Sequence, residues 1–542
     1  MRTDRRAERR PARSASDRFA ATALGQWTAG TLTRARARPV SLHWTSLMGV
    51  ATTACAAVFV ISGATLMFFF VPSSAPTQYH GAYLPLDGVT VSAAYASVLH
   101  VAFDVPGGML LRQLHHWSMQ LLPAVIMVQM LVVFFTGGFR KPRRTSWVLL
   151  FTLLVVALIA GWSGYGLPDD MLSGTGLRIV EGITVGIPVI GPWASSALFG
   201  GAFPGRIIEH LAIIHFFVAP ALLVTVMAVR GILGWVQRPA QAPGLGRTES
   251  NLVGVPLFPT GMMRIGGLFA GVLAVLVFVS ATVTVNPVWQ YGPSDPSNAT
   301  AGSQPDWYTG FLDGALRLVP PHWEFVWGGY TWTMSLLVPL AAVTVFLVGV
   351  LAYPFIEQWI SGDDRHHNLL QRPRDTPART GIGVASMTFF GALWGAGSAD
   401  VAAHQLDFAF EHLILAGQFM VIVGPLAAYS VTQRVCLALQ RKDREILLHG
   451  YETGRLVRLP DGETIEVHAA ADPGTRWRIL NAEHHTPILL RPRADGRITP
   501  TARLRAALSR LFFEDRLVPL PSTELQDLAS SRTPETTELV HR

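Results

Sequence analysis

The chain has 542 residues, half of them hydrophobic and only 15% charged, with a formal net charge of +7 and a mean hydropathy of +0.34. A water-soluble chain of this length carries more charge, so a soluble globular or disordered protein is excluded and a polytopic membrane protein is expected. The basic residues are scattered beside apolar runs, which reads as topology and attraction to anionic lipid rather than nucleic-acid binding.

In chain order, residues 1–40 are Arg-rich and polar and lack the apolar segment and cleavage site of a signal peptide. They read as a basic cytoplasmic arm. Eight apolar runs of spanning length follow, at about 46–71, 115–136, 146–167, 207–236, 263–286, 328–352, 381–397 and 410–435. Residues 41–236 hold four spans and the intramembrane histidines. Residues 237–436 hold four more and a long extracytoplasmic loop. Residues 437–542 form a polar, soluble cytoplasmic tail in which "TARLRAALSRLFF" (501–513) suits an amphipathic helix. The Arg-rich start, "FRKPRR" (139–144), residues 230–264, residues 356–380 and the tail are basic, whereas 398–409 has no positive charge. The positive-inside rule then places both termini in the cytoplasm of a cell-membrane protein. Cys55 and Cys436 fall on the first and last spans, which speaks against a disulfide or a thiol metal site.

Polar residues inside a span need a reason. His115 opens the second span and His215 lies early in the fourth, and both spans run inward from the outer side. Two neutral imidazoles at matched depth are what bis-histidine haem ligation needs. The structural alternative is that each caps a helix or bonds a carbonyl, and His116 and His210 compete for the same roles. A second haem would need histidines about four turns further in, where fourteen residues rise ~21 Å and nearly restore the angular position. Those positions hold Gln129 and, fifteen after His215, Arg230. Neither is a useful iron ligand. The first span carries Gly49 and Gly63, and the third carries Gly164, but fourteen before Gly164 stands Leu150. Glycines in spans also serve plain helix packing.

The segments "LHWTSLMG", "YASVLHVAFDVPGGMLLRQLHHW", "FFTGGFRKPR", "GYGLPDDMLSGTGLRI", "GRTESNLVGVPLFP", "NPVWQYGPSDPSNATAGSQPDWYTGFLDGALRLVP" and "ALQRKDREILLHGYETG" together resemble the cytochrome b subunit of quinol–cytochrome c reductase in its actinobacterial form. The resemblance runs from about residue 41 to 468, and the last seventy residues match poorly. It implies an all-α membrane protein of eight transmembrane helices: a cytochrome b-like four-helix haem bundle plus four further spans. It implies two b-type haems between the second and fourth spans. His115 and His215 match the ligands of the outer haem, Arg112 a residue near its propionates, and Gly63 and Gly164 glycines packed against it. Gly49 matches an inner-haem glycine. "PDWY" matches the quinol-oxidation motif, with Asp306 as its acid and Tyr308 available to position the quinol ring. The departures lie at one depth: Gln129 and Arg230 stand where the inner-haem ligands would be, Leu150 at the glycine and Val132 at the usual arginine.

The resemblance therefore implies a diverged cytochrome bc1 subunit that oxidises quinol, with menaquinol as the implied form, and passes electrons to Rieske iron–sulfur and cytochrome c partners. One haem b is expected where the family has two, and a dimer is left open. The competing reading is a non-catalytic membrane paralogue kept for assembly, regulation or partner binding. Side chains are expected to fill the inner level, with the Arg230 charge turned to the cytoplasmic surface or an acidic partner. His43 is expected to hydrogen-bond at a helix start, His366 and His367 to be solvated in a basic loop, and His404 and His412 to flank the last span.

Overall fold

The computed structural model describes residues 31, 33–41, 43–300, 304–483, 485–490 and 498–513. The first thirty residues of the basic arm, and the tail beyond 513, lie outside the described residues. Helices dominate, because the backbone groups of the apolar runs, inside a membrane, are satisfied only within a helix.

Four long helices form the first bundle: α1 (Trp44–Leu66), then, after a short α2 (Ala93–Phe103), α3 (Gly108–Phe135) and α4 (Arg144–Tyr165). An amphipathic helix, α5 (Met171–Val185), and a short helix, α6 (Gly191–Phe199), follow, and α7 (Ile207–Val236) closes the bundle. The second set comprises α8 (Met262–Thr282), a short α9 (Gly310–Arg317), α10 (Met334–Ser361), α11 (Pro377–Gly397) with α12 (Ala399–Leu406) bent 62° from it, and α13 (Phe410–His449). Among the described residues, seven helices are long and apolar enough to cross a membrane, eight if the bent pair counts as one span. Helix α1 lies along α3, α4 packs on α3 and α7, α8 covers α1 and α3, and α11 packs on α13. The shared core of the first bundle is built on Phe59, Leu122, Ile126, Leu150, Leu153 and Val156.

Several boundaries differ from the sequence reading: the first helix ends at Leu66 rather than near 71, and α3 begins at Gly108, so His115 lies two turns inside it rather than at its start. The sixth span was expected from 328, but Gly328 and Gly329 both have positive φ (62° and 80°) and turn a hairpin of β5 (Glu324–Trp327) and β6 (Tyr330–Thr333) before the helix begins. The last helix runs on to His449, because the polar residues after Arg434 are strong helix formers and nothing breaks the helix before Gly450. It therefore crosses the expected boundary at 436. The other strands are also short antiparallel pairs, β1 (Pro39–Val40) with β4 (Val255–Pro256), β2 (Pro76–Gln78) with β3 (Thr90–Ser92), and β7 (Tyr451–Arg458) with β8 (Thr464–Ala469). Cys55 and Cys436 are buried free thiols.

The tail docks on the helices. After α14 (Pro473–Leu480), Glu483 accepts from Arg140 at 2.6 Å, Arg365 at 2.7 Å and Gln371 at 3.1 Å. The expected amphipathic helix forms as α15 (Pro500–Phe513), packs on α10 and α11, and stacks Phe513 on His485. Burial would raise the Glu483 carboxyl, but Arg140, then His367 and His485, hold it below the ordinary glutamate range. A depressed carboxyl stabilises at pH above its unfolded value of about 4.3 and loses that contribution as pH falls through its folded value. Limited proteolysis of the detergent-solubilised protein should therefore leave the tail protected at pH 7 and cut it below about pH 4. Glu483→Gln should expose it already at pH 7, and unchanged protection in that variant would refute the ionic attachment.

Candidate haem and quinol site

His115 and His215 face each other across the first bundle, with ring centroids 5.9 Å apart and planes at 86°. Each is held from behind. His115 Nδ1 donates to the Phe59 carbonyl (3.0 Å) and lies 3.1 Å from Ser62 Oγ. His215 Nδ1 donates to the Ala160 carbonyl (2.9 Å), with Ser163 Oγ at 3.3 Å. A carbonyl only accepts, so Nδ1 carries the proton in both rings and each Nε2 keeps a free lone pair. The close anchoring leaves no room for a β-carbon beside either ring. One added at Gly63 would lie 2.8 Å from His115 Cε1, and one at Gly164 would overlap His215 Cε1. Both glycines thus touch the imidazoles, a closer role than packing on a cofactor.

The competitors are engaged elsewhere. His210 Nδ1 donates to the Leu198 carbonyl (2.7 Å). His116 stands about 100° round α3 from His115 and lines the same cavity, with its Nε2 3.0 Å from Gln120 Nε2 and 3.9 Å from Asp306 Oδ1.

The pair opens onto a cavity of about 390 Å³ that is lined mainly by apolar side chains. Arg112, Asp306 and Tyr308 line the same cavity. Arg112 is buried, donates through Nη2 to the Asn286 carbonyl (2.7 Å), and has a buried Nη1 without a partner. Asp306 accepts from Tyr308 Oη (2.6 Å) at Oδ2 and from Gln120 Nε2 (2.7 Å) at Oδ1. Burial alone would raise this carboxyl; His116 and the hydrogen bonds from Tyr308 and Gln120 outweigh it, so Asp306 stays below the ordinary carboxylate range. Burial and the adjacent Asp306 carboxylate push the Tyr308 phenol well up, so it remains a donor. Tyr308 fits only because Gly161 has no side chain, since a β-carbon there would overlap the phenol.

Four turns along the bundle the picture changes. Gln129 Oε1 accepts from Thr52 Oγ1 (3.1 Å) and from Arg230 Nη1 (3.3 Å). Gln129 and Leu150 are buried, Leu150 within the core, and Val132 is half-buried. Gly49 faces the Gln129 amide. Arg230 corrects one expectation. Its guanidinium reaches inward to Gln129 rather than to the surface or to an acid, and no carboxylate partner is found for it among the described residues. The fifteen-residue interval has a structural cause: α7 contains a π-turn at Ile214–Val218. It inserts one residue, so position 230, not 229, returns to the level of Gln129.

His367 corrects another. It is buried, not solvated, while His366 is exposed. Asp363, His367 and Glu483 lie close enough to share an ion. Arg140 donates to His367 Nδ1 (3.0 Å), which leaves the proton on Nε2, 3.3 Å from Asp363 Oδ2. Both ring nitrogens are thus engaged in hydrogen bonds, with no lone pair left for a metal. His43 bonds Thr45 Oγ1 (2.8 Å) at the start of α1, as expected, and His404 and His412 are exposed. Gln120, Gly161, Ser62 and Ser163 were not singled out from sequence. A Ser–Gly pair in each of two spans, 62–63 and 163–164, was the available signal.

Residues 120–293 match the family model "Cytochrome b(N-terminal)/b6/petB". A protein of Streptomyces coelicolor named cytochrome bc1 complex cytochrome b subunit is 38% identical over 527 residues, 95% of this chain and 96% of that relative. Proteins of the same name from Corynebacterium efficiens and Mycobacterium tuberculosis are 41% and 43% identical, covering 82% and 80% of this chain and 82% and 78% of theirs. A solved structure titled "Hyperthermophilic respiratory Complex III" matches in fold with a TM-score of 0.58 at 17% identity, over 77% of this chain and 98% of that one.

Gly164→Ala should push the His215 ring off its carbonyl anchor. Overpacking of this kind costs about 1–3 kcal/mol. Haem content of purified membranes should fall about tenfold or more, since 1.4 kcal/mol is a factor of ten. Full haem content in this variant would show that the glycine is not needed to seat the ring.

Proposed function

This chain belongs to the family of cytochrome bc1 complex cytochrome b subunits, a multi-pass membrane family that binds haem b, and on that premise we propose that it oxidises quinol beside a single haem b at the His115–His215 level. The observation that carries this reading is the contrast between two levels of one bundle. At the first, two opposed Nε2 lone pairs, an unpartnered Arg112 donor and the Asp306 pocket share one cavity. At the second, Gln129, Arg230 and Leu150 occupy the bundle.

The residues at the first level fit a haem. Two bonds of about 2 Å to ring nitrogens, plus half a ring on either side, need centroids roughly 6 Å apart, close to the 5.9 Å between His115 and His215. Arg112 Nη1 is free to meet a propionate. Bound there, the haem would supply one-electron transfer. The rest is the work of this chain. The carbonyls of Phe59 and Ala160 fix both tautomers. The ionised Asp306 accepts a quinol hydroxyl proton. Tyr308, held protonated, orients the acid and closes the pocket wall.

With both termini in the cytoplasm, the haem level lies toward the outer side of the cell membrane. Partners are a Rieske iron–sulfur subunit, a cytochrome c subunit and menaquinol, within a possible dimer. With the inner level filled, the standard transmembrane electron route is absent, and the second electron leaves through another acceptor. A non-catalytic paralogue would have no use for the free Arg112 donor or the buried acid beside the histidine pair.

Pyridine haemochrome analysis should find one haem b per chain. Two would refute the single-site reading, and none would favour the non-catalytic one. His215→Ala should abolish the signal, whereas His210→Ala should leave it. Asp306→Asn should retain the haem yet lower quinol oxidation by about 10²-fold, the usual worth of a general base; full activity in that variant would remove Asp306 from the mechanism.

A further inference from the structure

We propose that Gln120 is the positioning residue that holds the Asp306 carboxylate, and with it the 306–308 segment, in register with the haem-binding helix. The inference rests on the quinol-oxidation reading above.

Gln120 sits on α3, one turn after His116 and five residues after His115. It is buried but does not line the cavity, whereas Asp306, Tyr308 and His116 do. It therefore acts from behind the acid and touches neither quinol nor haem. Its side chain and its main chain grip successive residues of the motif. The amide Nε2 donates to Asp306 Oδ1 at 2.7 Å, and the Gln120 carbonyl accepts the Trp307 indole N–H at 3.2 Å. The same amide nitrogen lies 3.0 Å from His116 Nε2, the i,i+4 neighbour on the same helix face. The Gln120 Oε1 is buried without a partner. A buried unpaired acceptor costs free energy, so the contribution of this side chain rests on its donation to Asp306.

The consequence is geometric. Asp306 belongs to the stretch 304–309 just before α9, which forms neither helix nor strand. Tyr308 holds Oδ2 from within that segment, so it moves with it. Gln120 reaches the carboxylate from α3, the helix that carries His115, at 2.7 Å, closer than His116 of the same helix at 3.9 Å. Trp394 of α11 holds the Trp307 carbonyl from the other side at 2.9 Å. Without the amide, the carboxylate can rotate on its own backbone and lose its aim into the cavity. The titratable groups around Asp306 are His116 from α3, Tyr308 from its own segment and, beyond Tyr308, Tyr165 from α4, with Arg112 on the same cavity.

The test uses the assembled, haem-loaded protein with Gln120→Leu. Haem content and visible spectrum should match the parent. The kcat for quinol oxidation should fall about tenfold or more with little change in KM, and the acid limb of its pH profile should move up. Loss of a donor to a carboxylate destabilises its ionised form, so the limb should shift by about one pH unit. Infrared difference spectroscopy should show the carboxyl band that Asp306→Asn removes, titrating at correspondingly higher pH in Gln120→Leu. A fall in kcat with an unmoved carboxyl titration would make Gln120 merely structural and overturn the proposal, as would unchanged kinetics. If the parent protein does not oxidise quinol, the functional reading fails, yet the infrared titration still decides whether Gln120 holds the acid. Should Gln120→Leu lose its haem, Gln120→Met, unbranched and of similar length, replaces it in the same measurements.

Discussion

Two hydrogen bonds of about the same length, His115 Nδ1 to the Phe59 carbonyl and His215 Nδ1 to the Ala160 carbonyl, determine most of the site. Each assigns the proton to Nδ1 and turns Nε2 toward the bundle axis, so each ring becomes a ligand without becoming charged. The bonds are possible only if α1 lies close to α3, and α4 close to α7. Gly63 and Gly164 make that approach possible, and Ser62 and Ser163 next to them add a second oxygen to each nitrogen. Position, tautomer and helix spacing are therefore one constraint. Relaxing any of them relaxes all.

The other level of the bundle shows what happens where that constraint is absent. Without imidazoles to seat, the helices keep ordinary side chains: Leu150 fills the core, and Gln129 shares its carbonyl oxygen between Thr52 and Arg230. A guanidinium near hydrocarbon is costly unless it is paired or reaches the interface. Arg230 is paired only in part. It is not fully buried, it has one neutral acceptor, and its Nε remains without a partner. A neutral acceptor lowers the cost of the charge without creating a second charge to desolvate. An amide across the bundle thus serves where the energy of the charge alone points to the surface or an acid.

Much of this was legible in the sequence, for identifiable reasons. Spans are readable because backbone satisfaction in lipid demands about twenty apolar residues, and each of the eight expected runs overlaps a helix. His115 and His215 stood out because polar groups in spans are rare. The misses have equally physical causes. The hairpin before α10 is apolar and aromatic, so hydropathy merged it with the span; only the Gly328–Gly329 pair carried the turn. His367 is buried by the tail, a contact between residues more than a hundred apart that no local pattern encodes. Gln120 looked like one polar residue on a helix face, and its meaning depends on Asp306, 186 residues away.

The π-turn at Ile214–Val218 shows how far a small irregularity reaches. A regular helix would bring residue 229, a valine, to the level of Gln129, and Arg230 would sit about 100° away. One extra residue in a single turn rotates everything after it, so the same chain presents a guanidinium to the bundle instead of an isopropyl group. The turn includes His215 itself, and π-turns recur at functional sites because they re-aim one side chain without breaking the helix. In this bundle the re-aiming has two effects at opposite ends: it seats His215 against Ala160, and it delivers Arg230 to Gln129. Whether the second level holds a haem or a hydrogen-bonded pair is thus decided by the residues placed there, while the register that places them is set a full four turns away.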